Sequence, residues 1–159
     1  MQIEREQKKK FLNSYLRLIE RARWKRAMLQ QLKADSASLR GIDYTKSGIP
    51  RGKGHISDLS GIYVRIEEHE AELNRIMQQA EHVYGLIKHA MDALNDERGA
   101  YALSLRHIRR LSWKEVSAEM GLSSQSRTKE IYVAALDRLE VPEGFNFFEG
   151  GKQNEHEDT

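Results

Sequence analysis

Cysteine is absent from this chain, which removes disulfide frameworks, thiolate zinc sites and cysteine nucleophiles together. Proline is scarce, with only Pro50 and Pro142 in 159 residues, so long helices can run without interruption. Aromatics make up 8% of the chain, which leaves a lean core for one medium domain or two small ones. No stretch alternates apolar and polar residues as a half-buried strand does, and the chain therefore reads as all-α. No apolar run approaches the ~20 residues that a membrane helix needs, and MQIEREQKKK lacks the apolar centre of a signal peptide. The expectation is a cytoplasmic protein with no membrane partner.

Catalytic constellations are lacking as well. The histidines at 55, 69, 82, 89, 107 and 156 are scattered. His82 and His89 can share a helix face, but no third ligand is spaced to complete a metal set. Gly48, Gly52 and Lys53 invite a phosphate-loop reading that fails on three grounds. The spacing is one residue short, Gly54 replaces the hydroxyl residue that holds magnesium, and no strand precedes the motif. Neither catalytic activity, cofactor nor metal is expected.

Charge is what the chain has in abundance, and it is segregated. Residues 1–56 carry 14 Lys/Arg against 5 Asp/Glu, and residues 57–97 carry 3 against 9. Residues 98–140 return to 8 against 5, and the tail 141–159 holds 1 against 5. Neighbouring helices of opposite charge attract along their flanks.

A first helix is predicted over about 4–39. Phe11, Tyr15, Leu18, Ala22, Leu29 and Leu32 form its apolar stripe, Leu12, Leu16 and Ile19 widen it, and Lys25 breaks it. Its outer face, with Lys8, Lys9, Lys10, Arg17, Arg21, Arg23 and Arg26, reads first as a solvated complement to the acidic second helix. The alternative is a set of additional phosphate contacts. Trp24 lies off the stripe, at a helix or subunit contact or on the surface. Residues 41–56, with four glycines and Pro50, read as a connector. Its Lys46, Arg51 and Lys53 are a secondary candidate for touching nucleic acid or a partner.

The second helix is predicted over about 58–94, capped by Ser57 or Asp58. Ile62, Ile66, His69, Leu73, Ile76, Ala80, Val83, Ile87, Ala90 and Leu94 keep an alternating four-three spacing, the pattern of a coiled coil, with His69 as its polar member. Residues 1–94 thus form an antiparallel helical hairpin. A lone hairpin buries little surface, so a homodimer through it, or packing on the C-terminal helices, is expected.

Residues 95–140 carry the most local information. Ser112-Trp113-Lys114-Glu115 is a capping box, in which hydroxyl and carboxylate exchange hydrogen bonds with each other's backbone amides. Trp113, Val116 and Met120 follow on one face, and Gly121 suits a left-handed helix end. Ser123 or Ser124 caps a last helix that turns Ile131, Ala135, Leu136 and Leu139 inward. A scaffold helix over 97–110 precedes them, with Ala102, Leu105 and Ile108 inward. Together these make a three-helix unit ending in a helix-turn-helix. Val141-Pro142-Glu143-Gly144 stops it. Phe145, Phe147 and Phe148 dock into a groove or meet a partner, and GGKQNEHEDT reads as disordered.

The pattern Leu94, Asp96, Arg98, Leu103, Leu105, Arg106, Ile108, Leu111-Ser112-Trp113, Glu115, Met120-Gly121, Ser123, Ala135-Leu136 and Leu139 resembles region 4 of sigma-70-type factors. More closely, it is similar to small phage proteins of the ArpU/RinA type, regarded as late-gene transcription regulators. Three departures stand out: Arg110 where a turn glycine is usual, Ser117 where alanine packs between helices, and one extra residue between Gly121 and Ile131. The resemblance implies transcriptional regulation in the cytoplasm of a bacterial host, with contact to RNA polymerase.

The resulting expectation is a sequence-specific protein that binds double-stranded DNA, its last helix in the major groove. Ser124, Gln125, Ser126, Arg127 and Lys129 are the groove-facing candidates. Lys114 grips a phosphate at the helix start beside Trp113, and Arg106, Arg109 and Arg110 add backbone contacts. One rival is a phage small terminase subunit, which joins a similar motif to an oligomerising hairpin for DNA packaging. The other is a coiled-coil interaction module that never touches DNA.

Overall fold

The computed structural model describes residues 2–40 and 54–146. It is all-helical, with α1 (Gln2–Arg40), α2 (Gly54–Asp92), α3 (Glu97–His107), α4 (Trp113–Glu119) and α5 (Gln125–Arg138). Of the connector expected over 41–56, residues 41–53 lie outside the described residues, as does the tail from 147 with Phe147 and Phe148. The helix α2 starts earlier than its cap signals suggest. Its first residue is Gly54, so Ser57 and Asp58 lie inside it and neither caps it. Residues 54–56, read from sequence as the end of the connector, are therefore helical. No described helix is long and apolar enough to cross a membrane.

Contacts divide the chain into two compact units, residues 17–82 and residues 1–16 with 83–159. The first is a helical hairpin. Tyr15 meets Tyr84 (ring centres 5.1 Å apart), Arg21 meets Glu72 (3.7 Å) and Lys25 meets His69 (3.0 Å), so rising positions on α1 lie against falling positions on α2. The helices are therefore antiparallel. Leu18, Ala22 and Leu29 bury on one helix and Ile66, Ile76 and Ala80 on the other, as the stripes require. The two polar breaks in those stripes meet each other: Lys25 Nζ donates to His69 Nδ1 at 3.0 Å and pairs with Glu72. Those hydrogen bonds leave neither polar group unsatisfied in a half-buried seam. The Lys25 hydrogen bond also holds the Glu72 carboxyl below its ordinary range.

The second unit packs the start of α1 and the end of α2 with α3, α4 and α5. Phe11, Leu12, Leu103, Leu105 and Val116 are fully buried in it, with Ile87, Leu136 and Leu139 nearly so. The helices α3 and α5 approach so closely that a β-carbon on Gly99 would stand 2.7 Å from that of Ala135. Asp96 caps α3 by accepting the Gly99 amide at 2.9 Å, and its other oxygen takes Arg138 at 2.6 Å. Three contacts strap α1 to the far end of α5. Arg5 grips Asp137 through two hydrogen bonds of 2.6 and 2.7 Å, a bidentate pair. Lys8, itself buried, donates to the Asp137 carbonyl at 2.7 Å, one of the carbonyls that a helix end leaves without an intrahelical partner. Phe145 stacks edge-on against Phe11, ring centres 4.8 Å apart, so this aromatic docks as expected.

Candidate nucleic-acid interface

The capping box forms with both arms. Ser112 Oγ accepts the Glu115 amide at 3.3 Å, and the Ser112 amide donates to Glu115 Oε2 at 2.7 Å. These hydrogen bonds favour the carboxylate and hold Glu115 below its ordinary pKa. Gly121 ends α4 at φ +68, and Ser124, not Ser123, caps α5 by accepting the Arg127 amide at 3.3 Å. That cap sets the register left open by the extra residue after Gly121. Thr128, Tyr132, Ala135 and Leu136 face inward. Ile131, expected there, is only half-buried, because Tyr132 occupies the inward position beside it.

The other two of the three departures from the expected pattern also have a physical resolution. Arg110 takes the left-handed conformation (φ +54) that glycine usually supplies at such a turn. Ser117, standing for alanine, is buried, and its hydroxyl lies 2.9 Å from the Trp113 carbonyl and 2.8 Å from Thr128 Oγ1. Thr128 in turn donates to the Ser124 carbonyl at 3.0 Å. A buried polar pair thus joins α4 to the first turn of α5.

That register leaves Gln125, Ser126, Arg127, Lys129 and Glu130 exposed on the first turns of α5. Arg127 pairs with Glu130 at 2.9 Å on an exposed surface, where such a pair contributes little and is readily exchanged. The Ser124 hydroxyl is occupied by its cap. Lys114 is exposed on the first turn of α4. Arg109 stands 3.7 Å from Glu119, so it flanks α4. Trp113 is half-buried, edge-on against Tyr132 at 4.9 Å, with Arg106 4.8 Å and Lys129 5.6 Å from its ring centre. Trp113 thereby links two cations to the core. Arg106 is fixed further by donating to the Leu111 carbonyl at 2.8 Å.

One group of functional interest was not anticipated from sequence. His107 is 6% exposed, its Nδ1 2.7 Å from Asn13 Oδ1 and its Nε2 2.8 Å from the Tyr132 hydroxyl. The amide oxygen only accepts, so Nδ1 carries the proton and Nε2 accepts from tyrosine. Burial, then the neighbouring charges of Arg106 and Lys9, push the His107 pKa down to about 4. Burial pushes the Tyr132 hydroxyl up to about 12, so it keeps its proton. The position of His107 four residues after Leu103 signalled an inward side chain, whereas nothing in the sequence signals Asn13 as its partner. Above this network lies a cleft of about 450 Å³ lined by Lys9, Asn13, Arg106, His107, Arg110, Trp113 and Tyr132.

Among the described residues, no three His, Asp or Glu side chains gather as metal ligands. No family model, no curated protein and no solved structure matches this chain.

Proposed function

We propose that the protein is a sequence-specific regulator that binds double-stranded DNA through the exposed side of α5. The observation that carries this reading is the segregation of side chains on α5. Thr128, Tyr132, Ala135 and Leu136 are buried, while Gln125, Ser126, Arg127 and Lys129 are all exposed on its first turns. Amides and guanidinium groups in that position match the donor and acceptor patterns of base edges in a major groove. Lys114 and Arg109 flank the same motif and suit phosphates. The resemblance to phage late regulators supplies the setting, transcription of late genes. Two copies paired through the 17–82 hairpin would present two motifs to a repeated or palindromic site. Exposed Trp24 and Met28, one turn apart on that hairpin, offer apolar surface for the pairing.

Selection from a pool of random duplexes tests the proposal. A recovered motif is expected, and Arg127→Ala and Lys129→Ala should each weaken binding to it, by ~1–3 kcal/mol where the side chain reads a base. Retention of every sequence equally would favour the packaging alternative. Silence of both substitutions would favour the interaction module.

A further inference from the structure

The positive surface around the motif extends beyond the three C-terminal helices. Arg106 and Lys129 both approach the Trp113 ring, and Arg106 and Arg110 line the adjoining cleft. The remaining cation of that cleft, Lys9, comes from α1, a helix far away in sequence. That part of α1 is held in place by its neighbours. The Arg5–Asp137 pair, the Lys8 bond to the Asp137 carbonyl and the Asn13–His107 bond all tie that part of α1 to the same unit.

The chemistry of the cleft suits an anion. Both ring nitrogens of His107 are occupied and the ring is neutral, so the floor contributes no charge of its own. Lys9 and Arg106 both disfavour a proton on His107, so their fields overlap there. Lys9, Arg106 and Arg110 line one concavity, and clefts lined by one sign of charge focus a field that draws the opposite charge. Lys9 pairs with Glu6 at 2.9 Å, a half-exposed contact that engages one of the three ammonium donors.

From this arrangement we infer that the cleft seats a backbone phosphate of the bound duplex, with Lys9 of α1 acting beside Arg106 and Arg110. This rests on the DNA-binding reading above and makes the start of α1 part of the DNA-binding surface. Phosphate contacts fix orientation and carry no sequence information, so Lys9 should affect affinity and salt dependence but not site preference.

The test is binding of the full chain to a random-sequence duplex between about 50 and 200 mM salt. Lys9→Gln should weaken binding roughly 8-fold near 0.1 M salt and make the slope of log affinity against log salt shallower by about 0.9. Lys9→Arg should keep the original slope. Glu6→Gln, which removes a negative charge beside the cleft, should tighten binding. An unchanged slope in Lys9→Gln overturns the inference while leaving the DNA-binding reading intact. A lowered melting temperature with that unchanged slope marks Lys9 as structural and overturns it equally. Absence of DNA binding by the original chain removes both.

Discussion

Lowering the pH from 7 to 5 should destabilise the protein through one side chain, His107. In the folded state its Nδ1–H donates to Asn13 and its Nε2 accepts from Tyr132. Protonation would make both nitrogens donors, and the Tyr132 hydroxyl would have to turn its hydrogen elsewhere in a buried site. Burial and the charges of Arg106 and Lys9 add to that cost and bring the pKa to about 4. The unfolded chain titrates near the ordinary value of about 6.5, so below that pH it binds the proton that the fold refuses. The stability from neutral His107 is therefore fully present above about 6.5, is lost progressively as pH falls, and is gone below about 4. Between pH 7 and 5 the loss from this group comes to about 2 kcal/mol. Urea melts of the original chain and of His107→Gln isolate it, since the other histidines and carboxylates cancel in the comparison. The original chain should lose about 2 kcal/mol more than the variant over that interval. Equal losses, or an NMR titration of His107 with its midpoint near 6.5, would refute the reasoning.

Other consequences follow from the same packing. Ser117→Ala and Thr128→Val should each cost about 1 kcal/mol, while the double variant should cost clearly less than their sum. Fully additive melts would mean that the buried hydroxyl pair is not coupled. Gly99→Ala should lower stability by ~1–3 kcal/mol, because the new methyl meets both the Asp96 cap carboxylate and Ala135 across the α3–α5 contact. By contrast, Gly85→Ala, with open space around the added carbon inside α2, should raise it by about 0.5–1 kcal/mol. Denaturation midpoints showing the same sign for both glycines would contradict the helix packing described here.

Elements governed by neighbours in sequence were legible before the structure. The Ser112–Glu115 box, the Gly121 turn and the stripes over 11–32 and 62–90 depend on contacts within a few residues, and each formed at the expected place, whereas α2 ends at Asp92, short of Leu94. The start of α2 was misplaced because a capping serine signals a possible end, while a helix can run through it. Ile131 was placed inward because its neighbour Tyr132 is also apolar, and only the Ser124 cap decides between adjacent registers. The partnership of Lys25 with His69 lay hidden in two separate anomalies, one polar break in each stripe. Contacts such as Arg5–Asp137 and Asn13–His107 span 132 and 94 residues. Tertiary geometry alone brings them together, and with them the part of the cleft that α1 supplies.

The central claim is that the outward side of α5 meets DNA, and a backbone-amide NMR titration with a duplex carrying the selected motif tests it most directly. Shifts should concentrate at the starts of α4 and α5, over 113–115 and 124–130, with the hairpin residues 60–80 left unmoved. Shifts confined to the hairpin, or none at salt low enough for electrostatic binding, would contradict the account.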